Sequence, residues 1–428
     1  MSANLLKNYI FGACVLFAAI GCAGGEDEGD GRGEAGAPAA GGAIGSAGAV
    51  TTGGSGSGQT AGTGGRAGGA AGKGGKGAGA GPSTGAAGSA PGAAGSAPAT
   101  GGGPGTGGGN SGAGGGSSGT GGGNNGSGGK LGAGEGPEFV GNITTGFMNG
   151  MDQGNRKFAT YWNQVTPENA GKWGSVQSNA SAAFNWTALD AIYDYAEKNK
   201  IIFKQHTFIW GSQQPSGTIN SDTVKKWMSE FCKRYPNTKL IDVVNEPPPH
   251  TRPAYDGNIG GGTNGDWKWI ANAFTWAREA CPNAVLILND YNNIEWQNDA
   301  THFIDIVKKV QAAGGRIDAV GAQAHDLDNA NVSLATVTRL LAALNTQTGL
   351  PVYITEMDID STDDARQLAL YKQFFPLFTG ASYVKGITIW GWIFGQTWSQ
   401  APNSGLIRNG SPRSAMTYLM DQLGRPAP

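Results

Sequence analysis

The sequence has few residues of the kinds that bind metal ions or nucleic acid. Its 428 residues include four histidines and four cysteines, and no pair of histidines has the spacing of zinc ligands. The net charge is −2 and no basic run is longer than a pair, whereas phosphate binding needs a concentrated positive face. No Gly-rich loop follows the first predicted strand, and the part predicted to fold has no G-x-S-x-G turn. We therefore expect no metal, no cofactor and no nucleic-acid partner.

The first third of the chain lacks aromatic residues. Residues 24–136 contain no Phe, Trp or Tyr, yet they hold 50 of the 76 glycines. Such a segment cannot bury enough apolar surface to offset the entropy lost on ordering it. It has no Gly-X-Y period, which excludes collagen, so residues 23–138 are predicted to be a disordered Gly/Ala/Ser-rich linker. All 12 tryptophans come later, and residues 139–428 are predicted to form one domain.

The N-terminus has the pattern of an export signal. Lys7 precedes a largely apolar run from Tyr9 to Ile20, and small residues then lead to Gly21 and Cys22. This ending resembles a bacterial lipoprotein cleavage box, in which the cysteine is acylated, although Ala19 stands where Leu is usual. An ordinary secretory signal with an incidental cysteine is the alternative. Residues 1–22 thus predict a secreted or cell-surface protein, attached to the bacterial outer surface by a lipid on Cys22.

No other stretch of the chain suggests an attachment to the membrane. No apolar run after residue 22 approaches the length that spans a bilayer, and we expect a monomer. Export would permit disulfides, and Cys232 and Cys281 lie on predicted neighbouring outer helices. A disulfide between them and two buried free thiols both remain open.

Beyond residue 139, short apolar runs alternate with amphipathic helices. One helix carries Leu189, Ile192, Tyr193 and Ala196 at helical spacing, and five later segments show the same pattern. Eight strands are predicted between these helices, near residues 140–147, 164–167, 201–210, 240–245, 285–289, 319–324, 352–355 and 385–390. This alternation predicts an α/β fold, a single (β/α)8 TIM barrel. Active sites of such barrels lie at the C-terminal ends of the strands.

Polar and aromatic side chains lie at or near the C-terminal ends of seven of the predicted strands. In chain order they are Glu168 and Asn169; His206 and Trp210; Asn245 and Glu246; Asn289, Asp290 and Tyr291; Gln323 and His325; Glu356; and Trp390. A single Glu after a strand is more often a solvated turn residue, but seven such ends together predict a polar cleft. Two carboxylates on separate strands, among amide, imidazole and indole groups, are typical of glycoside hydrolysis.

The local sequences at these strand ends resemble glycoside hydrolase family 10, the (β/α)8 endo-β-1,4-xylanases. The similar segments follow in family order and cover essentially all of residues 139–424: NQVTPENAGKW at 163–173, HTFIWGSQQPS at 206–216, IDVVNE at 241–246, NDYN at 289–292, GAQAH at 321–325, ITEMD at 354–358 and IWGW at 389–392. Single motifs of this kind are weak evidence. Their order and spacing make the resemblance specific.

The resemblance implies a retaining endo-β-1,4-xylanase that cuts xylan through a glycosyl-enzyme intermediate. Glu246 would be the general acid/base and Glu356 the nucleophile, with His325 hydrogen-bonded to Glu356. Asn245 would bind the sugar 2-hydroxyl, with Gln323 nearby. Substrate-binding roles are implied for Glu168, Asn169, Lys172, His206, Trp210, Gln213, Tyr291, Trp390 and Trp398. Asp358, two residues after the nucleophile, is predicted to be structural.

Some positions depart from the family pattern. Gly211 stands where the family usually has a second His, Gly171 and Gly174 replace larger residues, and Phe394 occupies a position commonly held by Asp. These changes are expected to open or reshape the cleft without touching the two glutamates. The alternatives are a related β-glycanase, acting on a β-glucan or a decorated xylan, and a non-catalytic surface protein that binds carbohydrate.

Overall fold

The computed structural model describes residues 136–144, 152 and 155–428. The predicted signal segment, Cys22 and nearly all of the predicted linker lie outside the described residues, as do residues 145–147 of the first predicted strand. A helix long and apolar enough to cross a membrane is not found in the described part of the chain.

Eight parallel strands close into a barrel, in which each strand pairs with its neighbour in chain order and the eighth pairs with the first. This arrangement confirms the predicted (β/α)8 barrel. Several strand ends differ from the predicted ones by one or two residues; the seventh strand, for example, runs on to Met357, so Glu356 lies within it. The strands are β1 Phe139–Ile143, β2 Gln164–Thr166, β3 Ile202–Ile209, β4 Leu240–Asn245, β5 Val285–Asp290, β6 Ala319–Ala322, β7 Val352–Met357 and β8 Val384–Ile389.

Helices surround the barrel because their apolar stripes pack against its outer wall. Val224, Trp227, Met228 and Phe231 recur at helical spacing on one helix and all are buried. The helices are α1 Phe158–Tyr161, α2 Trp173–Val176, α3 Thr187–Asn199, α4 Ser221–Arg234, α5 Lys268–Ala280, α6 Gln297–Ala312, α7 Leu334–Thr348, α8 Asp364–Gly380 and α9 Ser414–Gln422. A 3-10 helix spans Asp256–Ile259, and a short antiparallel pair joins β9 Ile407–Arg408 to β10 Ser411–Pro412.

The inside of the barrel changes from apolar to polar along the strands. At the N-terminal ends, Phe139, Leu240, Ile287, Ala319 and Tyr353 form a small apolar cluster, in which the rings of Phe139 and Tyr353 stack with their centroids 5.9 Å apart. This cluster seals one end of the barrel. Toward the C-terminal ends the inward positions are occupied by polar side chains, and the predicted cleft lies there.

A disulfide joins two of the outer helices. Cys232 lies in α4 and Cys281 directly follows α5, with their Cα atoms 5.5 Å apart. Of the two possibilities that the sequence left open, the structure contains the disulfide.

Candidate active site

Glu246 is the first residue after β4, and its carboxylate is surrounded by hydrogen-bond donors. Trp210 Nε1 and Thr251 Oγ1 donate to Oε2 at 2.7 and 2.8 Å. Gln323 Nε2 and Asn245 Nδ2 lie 3.2 and 3.3 Å from Oε1. The φ angle of Glu246 is +51°, a left-handed conformation that is costly for a residue with a Cβ atom. Such strain persists where the surroundings over-determine it, as at functional sites.

Glu356, near the end of β7, lies in a more cationic environment. Asn289 Nδ2 donates to its Oε1 at 2.7 Å, and His325 Nε2 lies 3.3 Å from its Oε2, which is the hydrogen bond that the resemblance implied. His206 Nδ1 is 3.9 Å from Oε1. Burial by itself would raise the pKa of Glu356, but the charges of His206, His325 and Lys204 outweigh burial and lower this pKa to about 2.

Amide side chains connect the two carboxylates. Asn289 Nδ2, which donates to Glu356, also donates to Asn245 Oδ1 at 2.7 Å. Gln323 Nε2 lies 3.2 Å from both Asn245 Oδ1 and Glu246 Oε1. Glu246 and Glu356 therefore belong to one hydrogen-bond network, although they come from strands three positions apart in the barrel.

Asp358 orients a site residue and is not a packing residue alone. Its Oδ1 lies 3.0 Å from His325 Nδ1, and its Oδ2 accepts a hydrogen bond from Trp398 Nε1 at 2.8 Å. The ring of Trp398 is 4.6 Å from that of His325. Burial would lower the pKa of His325, but Asp358 and Glu356 hold it well above its usual value. The imidazole is therefore a cation between two carboxylates.

A second buried ion pair lies beneath Glu356. Asp242 Oδ2 is 2.8 Å from Lys204 Nζ and 2.9 Å from His206 Nδ1. Ligand atoms of His206, Asp242 and Glu356 all lie within 4.8 Å of one another, a grouping that could hold a metal ion. However, the Lys204 ammonium already meets the Asp242 carboxylate, so the chain supplies its own cation and this donor set fits a metal poorly.

Residues predicted to line the cleavage subsite and to bind the next sugar on the non-reducing side lie together after β2 and β3. Lys172 donates to Asn169 Oδ1 at 2.9 Å, and its Nζ lies 4.8 Å from the centre of the Trp210 ring. Lys172, Trp210 and Gln213 line one pocket. Burial raises the pKa of the neighbouring Glu168 to about 7, against the opposing charge of Lys172.

The remaining predicted residues also lie at this end of the barrel. Trp390 directly follows β8, and its ring packs edge-on against His206 at 5.3 Å. Tyr291 directly follows β5 and stacks on His250 with ring centroids 3.9 Å apart. The structure thus places the predicted site residues in the C-terminal halves of the strands or in the loops that follow them.

At the glycines that depart from the family pattern, main-chain atoms of other segments occupy the space that a side chain would need. A Cβ at Gly171 would lie 2.6 Å from the carbonyl oxygen of His206, and one at Gly174 would lie 2.4 Å from that of Gln213. At Gly211 a Cβ would lie 2.6 Å from the carbonyl carbon of Arg252. These positions therefore reshape the cleft by close approach of the backbone and do not open it.

Several residues of the network were assigned no catalytic or substrate-binding role from the sequence: Lys204, Asp242, Thr251, Asn289 and Asp358. Asn289 and Asp242 lie within the quoted segments NDYN and IDVVNE, and Lys204 shares a strand face with His206 because strand side chains alternate. The position of Thr251 depends on the path of a loop, for which the sequence carries no periodic signal.

The comparisons with known proteins agree with this geometry. The model of glycosyl hydrolase family 10 matches residues 131–422. The chain belongs to this family. It is 44% identical over 291 residues to endo-1,4-beta-xylanase B of Cellvibrio japonicus (strain Ueda107), a match that covers 66% of this chain and 45% of that protein. It is also 30% identical over 268 residues to endo-1,4-beta-xylanase B of Thermotoga neapolitana, which covers 58% of this chain and 74% of that protein.

Solved structures show the same fold. The crystal structure of xylanase 10B from Thermotoga petrophila RKU-1 in complex with xylobiose superposes with a TM-score of 0.57 at 24% identity, covering 67% of this chain and 93% of that chain. Native xylanase 10B from Thermotoga maritima has the same TM-score and identity and is covered over 94% of its length. The match to the Cellvibrio protein spans less than half of that relative.

Proposed function

We propose that the chain is a retaining endo-β-1,4-xylanase in which Glu356 is the nucleophile and Glu246 the general acid/base. The observation that carries this proposal is the contrast between the surroundings of two glutamates that belong to one hydrogen-bond network. Glu356 is surrounded by cationic groups that keep it ionised, while Glu246 is held by neutral donors. A nucleophile must be ionised before it attacks, and the acid must hold a proton that it can give away.

In the first step, a carboxylate oxygen of Glu356 attacks the anomeric carbon. The bond from that carbon to the leaving oxygen breaks, and Glu246 transfers its proton to this oxygen. The products are a glycosyl ester on Glu356 and a shortened chain with a free hydroxyl. The negative charge of Glu356 is consumed in the ester.

In the second step, water attacks the same carbon from the opposite face. Glu246, now ionised, takes a proton from the water, and the ester bond to Glu356 breaks. Two inversions at one carbon give overall retention of its configuration. Asn245 is proposed to bind the 2-hydroxyl of the sugar at the cleavage point, a contact that strengthens in the transition state.

The substrate is proposed to be xylan, the β-1,4-linked plant polysaccharide. Membership of family 10 and the relatives named endo-1,4-beta-xylanase support this choice. Glu168, Asn169 and Gln213 offer carboxylate and amide groups to the hydroxyls of the next sugar on the non-reducing side, and Lys172 lines the cleavage subsite and its neighbour. Trp390 and Trp398 offer aromatic faces on which sugar rings stack.

Two alanine variants test the assignment of the glutamates. Glu356→Ala is expected to lower kcat on xylan by about 10⁴-fold or more, because the covalent step is lost. With azide and an activated aryl xylobioside, Glu356→Ala should yield the α-glycosyl azide, whereas Glu246→Ala should yield the β-glycosyl azide. The opposite pair of products would reverse the roles, and full activity of either variant would exclude its glutamate.

Rates on xylan, barley β-glucan and cellulose test the substrate. Xylan should be cleaved fastest, and NMR of the first product should show the β-anomer before mutarotation. A protein that binds xylan but hydrolyses none of these polymers would support the carbohydrate-binding alternative.

We also propose that the protein is exported and held at the cell surface. It is supported by the N-terminal pattern that ends in Cys22, and by substrates too large to enter a cell. Radiolabelled palmitate should be incorporated into the wild-type protein in a bacterial host, and not into Cys22→Ser. Incorporation into neither protein would favour an ordinary secretory signal.

A further inference from the structure

The segment that leaves β4 turns back onto the proposed acid/base. Residues 247–252, called here the β4 exit loop, follow Glu246 directly. The backbone N–H of Thr251 donates to the carbonyl oxygen of Glu246 at 3.1 Å, which closes the loop on itself. The Thr251 hydroxyl then reaches the carboxylate oxygen Oε2 of the same glutamate at 2.8 Å.

Neighbouring elements anchor this loop at several points. His250 Nδ1 lies 2.7 Å from Asp290 Oδ1, at the end of β5, and the carbonyl oxygen of Pro248 lies 3.0 Å from His302 Nε2 on α6. Arg252 makes two hydrogen bonds to Asp256, at 2.8 and 3.0 Å. The loop is therefore held in one conformation by contacts independent of Thr251.

Gly211, just after β3, allows the loop to take this path. A Cβ there would lie 2.6 Å from both the carbonyl carbon and oxygen of Arg252, and 2.8 Å from the carbonyl oxygen of Thr251. No side chain fits in that space. The absence of a side chain at Gly211 thus makes room for the backbone of the β4 exit loop.

We propose that Thr251 is a positioning residue for Glu246, an inference that rests on the proposed function. Oε2 lies between the indole N–H of Trp210 and the hydroxyl of Thr251. The indole can only donate a hydrogen bond, whereas the hydroxyl can donate or accept. Thr251 can therefore stabilise the ionised carboxylate of the second step and remain hydrogen-bonded when the carboxyl is protonated for the first.

The charged surroundings of Glu246 are left intact when Thr251 is changed. Lys172 from the β2 side, and Asp290 and Tyr291 from the end of β5, interact electrostatically with Glu246. His250, from the loop itself, is paired with Asp290. Thr251 is neutral, so Thr251→Val removes one hydrogen bond and keeps both the shape and the net charge. A hydrogen bond donated to the charged form favours that form.

The test compares Thr251→Val with Thr251→Ser on two substrates. A xylooligosaccharide has a poor leaving group that needs the acid, while a dinitrophenyl xylobioside has one that departs unaided. For Thr251→Val, the ratio of kcat/KM on the oligosaccharide to that on the aryl glycoside should fall about tenfold, since a hydrogen bond to a charged group contributes a factor of this order or more. Thr251→Ser retains the hydroxyl and should restore the ratio to within about twofold of wild type.

The pH profile provides a second readout. The alkaline limb of kcat/KM should move to higher pH in Thr251→Val and stay in place in Thr251→Ser, because the ionised carboxylate loses a donor only in the first variant. Equal losses on both substrates, or an unmoved alkaline limb, would mean that Thr251 only supports the loop. A wild-type ratio in Thr251→Val would overturn the inference outright.

Separate experiments test the proposed function of the protein and the role of Thr251. Wild-type activity on xylan and the azide products of the glutamate variants test the function without reference to Thr251. A ¹³C NMR titration of labelled Glu246 tests the inference without turnover. Its carboxyl should bind a proton at higher pH in Thr251→Val than in wild type, and an unchanged titration would contradict the inference even in an inactive protein.

Discussion

The two glutamates differ in the groups that contact them. Around Glu356 the positive charges of His206, His325 and Lys204 prevail over burial and lower its pKa to about 2. Around Glu246 the contacts are hydrogen bonds from Trp210 and other uncharged groups. The proposed division of labour between the carboxylates thus depends largely on neighbours from other strands of the barrel.

Replacing His325 tests whether this residue keeps Glu356 ionised. Replacing it with Gln removes a cation and a donor beside Glu356, so the pKa of Glu356 should rise. The acid limb of kcat/KM should therefore move to higher pH by about one unit or more, which corresponds to about 1.4 kcal/mol per unit. Lys309→Gln, which removes a charge from the exposed face of α6, serves as the control and should leave the limb in place. An unmoved acid limb in His325→Gln would show that other groups keep Glu356 ionised.

At the scale of elements, the disulfide and the β4 exit loop both join segments that are separate in sequence. Cys232 and Cys281 link α4 to the end of α5 outside the barrel, and Gly211 lets the loop after β4 rest on the end of β3. The disulfide is expected to affect the stability of the fold, whereas the contact at Gly211 affects the geometry of the active site.

The disulfide can be tested without affecting the site. It connects residues 49 positions apart, and closing such a loop restricts the unfolded chain. Replacing both cysteines with Ala should lower the free energy of unfolding by about 2–4 kcal/mol in denaturant titrations. The kcat/KM on soluble oligosaccharides should change less than about twofold, because the bridge lies between outer helices. A large loss of activity with unchanged stability would contradict this separation.

The whole molecule buries several carboxyl groups, which makes its stability depend on pH. Burial raises the pKa of both Glu168 and Glu295 to about 7, so the folded state binds protons that the unfolded state has released. Their stabilising contribution is complete below pH 4.5 and is lost as the pH rises through about 7. Glu356 acts in the opposite direction, since its stabilising contribution is present above pH 4.5 and is lost as the pH falls toward about 2.

Unfolding in guanidinium at several pH values checks this expectation. The free energy of unfolding should be highest near pH 4–6 and should fall by a few kcal/mol toward pH 8, on the order of 1–3 kcal/mol for each buried glutamate. Glu295→Gln should flatten the decline, because a neutral amide cannot lose a proton. If the free energy of unfolding of that variant fell as steeply with pH as that of wild type, Glu295 would not contribute to the pH dependence.

Much of this architecture could be predicted from the amino-acid sequence. Strand and helix periodicities are local, so the eight strands and six of the helices were recognisable, and the ends of parallel strands in a barrel necessarily meet at one face. Glu246, Glu356 and His325 were therefore expected at the same cleft. The resemblance to family 10 supplied their expected roles, which periodicity alone does not provide.

Contacts that depend on the paths of loops, or on close approaches between distant segments, could be found only in the folded structure. The hydroxyl of Thr251 reaches Glu246 from a loop whose backbone, at Arg252, passes against Gly211, and the sequence does not show which segment packs on that glycine. Cys232 and Cys281 could have been two thiols or one bridge until α4 and α5 were placed side by side. The barrel and the residues at its mouth could be predicted from the order of amino acids, because both follow from repeating local patterns. Which of those residues touch was decided by packing, since contacts between loops follow no repeating pattern.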